Sequence, residues 1–142
     1  MNSKELATSL RTAVSALHKS LRRQMSSVNS FSMTEIETIA LLARSGSLLP
    51  TELAALTKVK TQSMSQILKK MESGRIIKRT PSKDDKRKVY ISLTASGKNL
   101  VVKARYDKDE WLERSVENAL TDKEKEWLIR AIPVINKVAE TK

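Results

Sequence analysis

Three features of the sequence predict a mainly α chain with a small β-wing. Apolar residues recur at spacings of three and four along most of its length. Only two short runs are β-prone, and they flank a basic segment rich in turn formers. Just before them, two short helical patterns meet at the turn Thr57-Lys58-Val59-Lys60. Two helices, a tight turn and a hairpin make a winged helix-turn-helix, to which amphipathic helices at both ends add N- and C-terminal dimerisation helices.

Leu6, Leu10, Val14, Leu17, Leu21 and Met25 mark a first helix from about Lys4 to Met25, with Arg11, Lys19, Arg22 and Arg23 on its polar face. Ser30-Phe31-Ser32 breaks the pattern. Thr34 with Glu37 reads as a capping box that opens a second helix through Ile36, Ile39, Ala40, Leu42 and Ala43, which Ser45-Gly46-Ser47 ends. Pro50-Thr51 opens a short third helix with Leu53, Ala54 and Leu56. A fourth begins with Thr61 as its cap and buries Met64, Ile67, Leu68 and Met71, until Gly74 supplies a left-handed residue that stops it. Residues 75–80 and 89–93 form the hairpin. Thr94 caps a fifth helix whose core candidates are Leu100, Val101, Ala104, Trp111, Leu112 and Val116. Thr121 with Glu124 opens a sixth, through Trp127, Leu128, Ala131, Ile132, Ile135, Val138 and Ala139, in which Pro133 marks a bend. The expected organisation is a single domain over 1–142, with a DNA-binding lobe at 34–94 and a helical dimerisation lobe from 1–29 and 95–142.

Composition narrows the function. Lys and Arg number 27 against 16 Asp and Glu, a formal charge of +11 that suggests a polyanionic partner. Lys58 to Lys88 holds eleven basic residues and three acids, so about a fifth of the chain carries most of the excess. A solubilising surface would scatter those charges. The absence of cysteine excludes disulfides and thiolate metal sites, one histidine argues against zinc, and no cofactor is expected. No nucleophile and base pair, P-loop or carboxylate cluster with histidine is found, so an enzyme is not expected. With neither a signal peptide nor an apolar run of eighteen residues, the expected place is the cytoplasm, with no membrane partner.

On the fourth helix Gln62, Ser65, Gln66 and Lys69 form a stripe opposite the apolar one. Gln62 and Gln66 can pair bidentately with adenine. Thr61, Ser63 and Ser65 can donate or accept, and Lys60, Lys69 and Lys70 suit phosphate or guanine. At the hairpin tip Arg87 suits a narrow minor groove, while Lys83, Lys86 and Lys88 are backbone contacts or solvated charge. Asp85 either pairs with Arg87 and orients it or is an ordinary turn former. Trp111 and Trp127 are core anchors or interface residues, and His18 reads as a surface residue. These patterns point to double-stranded DNA. Two rival readings are a non-specific nucleic-acid binder, and an antirepressor or interaction protein on the same fold.

Leu53-Ala54 through Met71, the run Gly74-Arg75-Ile76-Ile77-Lys78-Arg79, and the segment from Asp85 to Gly97 together resemble the MarR family. The last resembles its wing signature, Asp-x-Arg followed by a strand ending Leu-Thr-x-x-Gly. The resemblance implies a homodimer with intertwined terminal helices, a palindromic operator, and a small aromatic or anionic effector that relieves repression. Such an effector is expected where the first, second and fifth helices approach; Arg22, Arg44, Arg105 and Tyr106 are either contacts to it or solvated surface positions. Lys58 stands where many helix-turn-helix proteins use glycine.

Overall fold

The computed structural model describes residues 1–25 and 30–142. The chain divides into two compact units, one of Arg22–Asp107 and one of Met1–Leu21 with Lys108–Lys142. Among the described residues no helix is long and apolar enough to cross a membrane.

The Arg22–Asp107 unit contains α2 (Met33–Ser45), β1 (Ser47–Leu48), α3 (Pro50–Thr57), α4 (Thr61–Ser73), β2 (Ile77–Pro81), β3 (Val89–Leu93) and the first half of α5 (Ala95–Ala119). The three strands make an antiparallel sheet in the order β1-β3-β2, in which Lys78 pairs with Ser92 and Ser92 with Ser47. β1 was not expected from the sequence, because two residues are too short to show an alternation. Ile39, Leu42, Leu53, Met64, Leu68, Met71, Ile77 and Ile91 form one buried cluster, which seats α3 and α4 against α2 and the sheet.

Local chemistry corrects three expectations. The cap of α2 is Ser32, not Thr34: its side chain accepts from the Glu35 amide at 3.2 Å, and Ile36 donates to the Ser32 carbonyl. Thr34 lies inside the helix, and its carbonyl accepts the hydroxyl of buried Thr38 at 2.7 Å. Thr61 is likewise the first residue of α4 and not its cap, since Met64 donates to the carbonyl of Lys60 at 3.0 Å. After α4 the left-handed residue is Arg75, with φ 61°, while Gly74 stays at φ −78°. Lys58 does take the left-handed conformation, φ 58° and ψ 38°, so a lysine performs the turn for which glycine is the easier residue. Gly46, at φ 81°, ends α2 as expected.

α5 starts against β2. Thr94 accepts from the Gly97 amide and donates to the carbonyl of Ile76, whose oxygen a Cβ at Gly97 would overlap. Further along, Ala104 packs with Met25, Phe31, Ile36 and Leu100 in a second small cluster.

The other unit contains α1 (Ser3–Arg23, up to Leu21), the second half of α5 and α6 (Asp122–Ala139). α1 ends at Arg23, short of the expected Met25, and the chain then turns. The second expected capping box is present: Glu124 donates its amide to the Thr121 hydroxyl at 3.3 Å and accepts the Thr121 amide at 2.8 Å. The Thr121 amide first, and the Thr121 hydroxyl donating to Oε2 at 3.0 Å second, hold the Glu124 carboxyl below its ordinary pKa. Lys125 pairs with Glu117 of α5 at 2.9 Å, and α6 continues through Pro133. Neither α1 nor α6 has a buried residue. Trp127 is 57% exposed and so is no core anchor of this chain, whereas Trp111 is half-buried and His18 exposed.

Candidate nucleic-acid interface

Packing decides which face of α4 is available. Met64, Leu68 and Met71 are at most 1% exposed against α3 and the sheet. Thr61, Gln62, Ser63, Ser65, Gln66, Lys69 and Lys70 are all exposed, as is Lys60 before them. Donors and acceptors of the side-chain types that read base edges therefore share one exposed surface, held by a helix with no freedom to roll.

Lys70 has a partner that was not expected. Its Nζ lies 3.1 Å from Oε1 of Glu35 near the start of α2, and the Glu35 side chain is only 6% exposed. The other carboxylate oxygen, Oε2, is buried with no hydrogen-bond partner among the described residues. Ser32-Met33-Thr34-Glu35 has the form of a capping box, which is the sequence signal that was missed; here the glutamate turns to Lys70. A second pair, Arg79 with Glu72 at 3.3 Å, joins β2 to α4.

The hairpin tip is closed by its own polar groups. Ser82 donates to the Lys88 carbonyl, Lys88 to that of Asp85, and the Ser82 hydroxyl accepts the amides of Asp84 and Asp85. Asp85 performs both tasks weighed for it. Its Oδ1 accepts the Arg87 backbone amide at 3.1 Å, as a turn former would, and Arg87 Nε at 3.2 Å. Oδ2 accepts Nη2 at 3.4 Å. The guanidinium bond first, and the amide bond second, hold the Asp85 carboxyl below its ordinary pKa. Arg87 nevertheless keeps 91% of its side chain exposed, so it is aimed without being buried. Lys83, Lys86 and Lys88 are exposed around it.

The matching model of the MarR family covers residues 30–88, from the start of α2 to the wing tip. An HTH-type transcriptional regulator of Mycobacterium bovis is 32% identical over 107 residues, 75% of this chain and 74% of that protein. The chain belongs to the MarR family. It is a DNA-binding transcription regulator. A Pseudomonas aeruginosa protein superposes with a TM-score of 0.80 at 26% identity, over the whole of both chains. S. aureus MepR bound to an oligodeoxyribonucleotide shares the fold, with a TM-score of 0.71 at 18% identity over 95% of this chain and 98% of that one.

The four residues suggested for effector contact all belong to the Arg22–Asp107 unit. Arg22 is half-buried, and Arg44, Arg105 and Tyr106 are exposed. Of these, Arg105 lines a cavity formed by the end of α2, the sheet and α5, together with Lys78 and Lys98, which the sequence did not single out.

Proposed function

We propose that this MarR-family regulator binds a palindromic operator as a homodimer and acts as a repressor that a small anionic or aromatic effector releases. α4 enters the major groove, where Gln62 and Gln66 read base edges and Thr61, Ser63 and Ser65 add polar contacts. Lys60, Lys69 and Lys70 meet phosphate or guanine. Arg87 enters the adjacent minor groove with Lys83, Lys86 and Lys88 on the backbone. Arg22, Arg44, Arg105 and Tyr106 suit an anionic ring, and no catalytic role is assigned.

The observation that carries this reading is the exposed polar face of α4 beside a wing arginine that Asp85 orients. The homodimer is supported by apolar residues left uncovered on α1 and α6, among them Leu6, Val14, Leu17, Trp127, Ile132 and Val138. MepR, which shares the fold and is bound to an oligodeoxyribonucleotide, supports DNA as the partner.

The test is fluorescence anisotropy at physiological salt, using DNA from beside the protein's own gene that carries an inverted repeat. Arg87→Ala is expected to weaken binding strongly. Gln66→Ala is expected chiefly to relax base preference, by about 1–3 kcal/mol for a lost bidentate contact. Wild-type affinity in Arg87→Ala would overturn the wing assignment. Steep salt dependence without sequence discrimination would favour a non-specific binder instead.

A further inference from the structure

Glu35 has no task in the DNA-binding reading. Ionised side chains are seldom buried unless paired, and an acid beside a surface that meets phosphate opposes binding by its sign. Yet the Glu35 side chain is only 6% exposed, and its Oε1 accepts Lys70 Nζ at 3.1 Å. Its Oε2 has no partner among the described residues, so Lys70 is the cation that this buried carboxylate faces. Both partners stand on fixed elements. Ser32 accepts the Glu35 amide at the first turn of α2, and buried Met64, Leu68 and Met71 hold α4. Lys70 stands one turn beyond Gln66 and two beyond Ser63 on the exposed face, and it keeps 68% of its side chain exposed. Stability alone does not account for such a pair, because two apolar side chains of similar volume serve a core as well or better.

We propose that Glu35 is a positioning residue of the DNA interface: it holds the Lys70 ammonium in one place, from which the remaining donors bond a phosphate oxygen at the edge of the groove that α4 enters. This rests on the reading of α4 as the major-groove helix. An ammonium carries three N–H donors. One goes to Glu35, and the exposed side chain leaves the others for DNA. A free lysine loses rotamer freedom when it meets a phosphate, whereas a tethered one has already lost it on folding. Burial makes the acid a suitable tether, since one oxygen holds the cation while the carboxylate itself is withdrawn from solvent and from the phosphate. The wing also uses an acid to aim a cation, Asp85 with Arg87, there on an exposed turn.

The experiment measures fluorescence anisotropy of the full chain over a salt series, on a duplex with the inverted repeat from beside its gene. Circular dichroism checks that each variant is folded. Glu35→Gln keeps the shape of the side chain and removes a negative charge. Charge alone therefore predicts tighter binding, whereas loss of positioning predicts binding about fivefold weaker. Equal or tighter binding overturns the proposal. Glu35→Met/Lys70→Met fills the site without charge, and its plot of log affinity against log salt should be shallower by about one phosphate contact. A wild-type slope would mean that Lys70 meets no phosphate, which also overturns it. Once Lys70 is replaced, Glu35 has nothing left to position, so Lys70→Met, Glu35→Gln/Lys70→Met and Glu35→Met/Lys70→Met should bind alike. The two double variants leave no buried charge and carry that comparison if Lys70→Met unfolds. A large difference among them would show that residue 35 acts through packing, against the proposal. Gln66→Ala and Arg87→Ala, measured alongside, keep the two readings apart: wild-type behaviour in both would sink the α4 and wing reading and this inference with it. Weakening or relaxed specificity in those two, with no loss in Glu35→Gln, would sink the inference alone.

Discussion

Asp85 shows how one carboxylate combines a structural and a functional task. It closes the wing turn through the Arg87 amide and aims the guanidinium through two further bonds. Because its folded pKa is depressed, these bonds are intact above the ordinary carboxylate range and are lost as pH falls through the lowered value. An NMR titration should place the Asp85 midpoint below 3.8, and Arg87→Ala should move it back towards that value. An unchanged midpoint in the variant would show that Arg87 is not the cause. Glu35 and Lys70 pose the opposite case, a buried carboxylate with one orphan oxygen held by an exposed lysine. Lys70→Met is expected to destabilise the fold by about 1–3 kcal/mol, because it leaves Glu35 buried without its cation. Glu35→Met/Lys70→Met should recover much of that loss. Denaturant unfolding of the single and double variants measures both, and strictly additive losses would contradict the pairing.

The elements meet with little slack at the start of α5. Gly97 is needed there for space and not for backbone freedom, since an added Cβ meets the carbonyl of Ile76, which already accepts from Thr94. Gly97→Ala should therefore cost on the order of 1–3 kcal/mol through backbone displacement. Thermal unfolding should report this as a lowered Tm, and an unchanged Tm would mean that α5 can shift away freely. Such tightness ties the start of α5 to the run that leads into β2. It contrasts with α1 and α6, none of whose residues is fully buried and whose apolar side chains are left open to a partner.

For the whole molecule, the proposed homodimer makes the chain's stability and its DNA affinity depend on a second copy that covers those helices. Light scattering at micromolar concentration should give twice the 16.0 kDa of one chain, and Leu17→Glu with Ile132→Asp should return the monomer mass. A wild-type monomer that binds operator normally would contradict the homodimer. In the dimer the two copies of α4 should lie about one helical turn apart, roughly 34 Å, to enter successive major grooves. In the proposed release, the effector prefers a dimer with another spacing, and a tenfold loss of DNA affinity requires about 1.4 kcal/mol of that preference. By reciprocity, operator DNA weakens the effector's binding by the same factor. Equal affinity for free and DNA-bound protein, measured by calorimetry, would eliminate a candidate inducer.

The order of the helices, the exposed stripe of α4 and the basic hairpin are legible in the sequence, which also offers the Asp85 and Arg87 pair as one of two readings of that turn. All of these arise from short-range periodicity or from residues two to four apart, where backbone geometry alone brings side chains together. It placed caps one or two residues late at Ser32 and Lys60, because a cap is defined by which carbonyl accepts the first helical bond and several nearby residues have suitable side chains. Whatever depends on distant segments became visible with the folded chain. Glu35 reaches Lys70 across 35 positions. β1 exists because β3 offers it an edge, and Gly97 is required because Ile76 lies against it. Lys78, Lys98 and Arg105 converge on one recess for the same reason: chain folding, and no local rule, brings β2 beside α5.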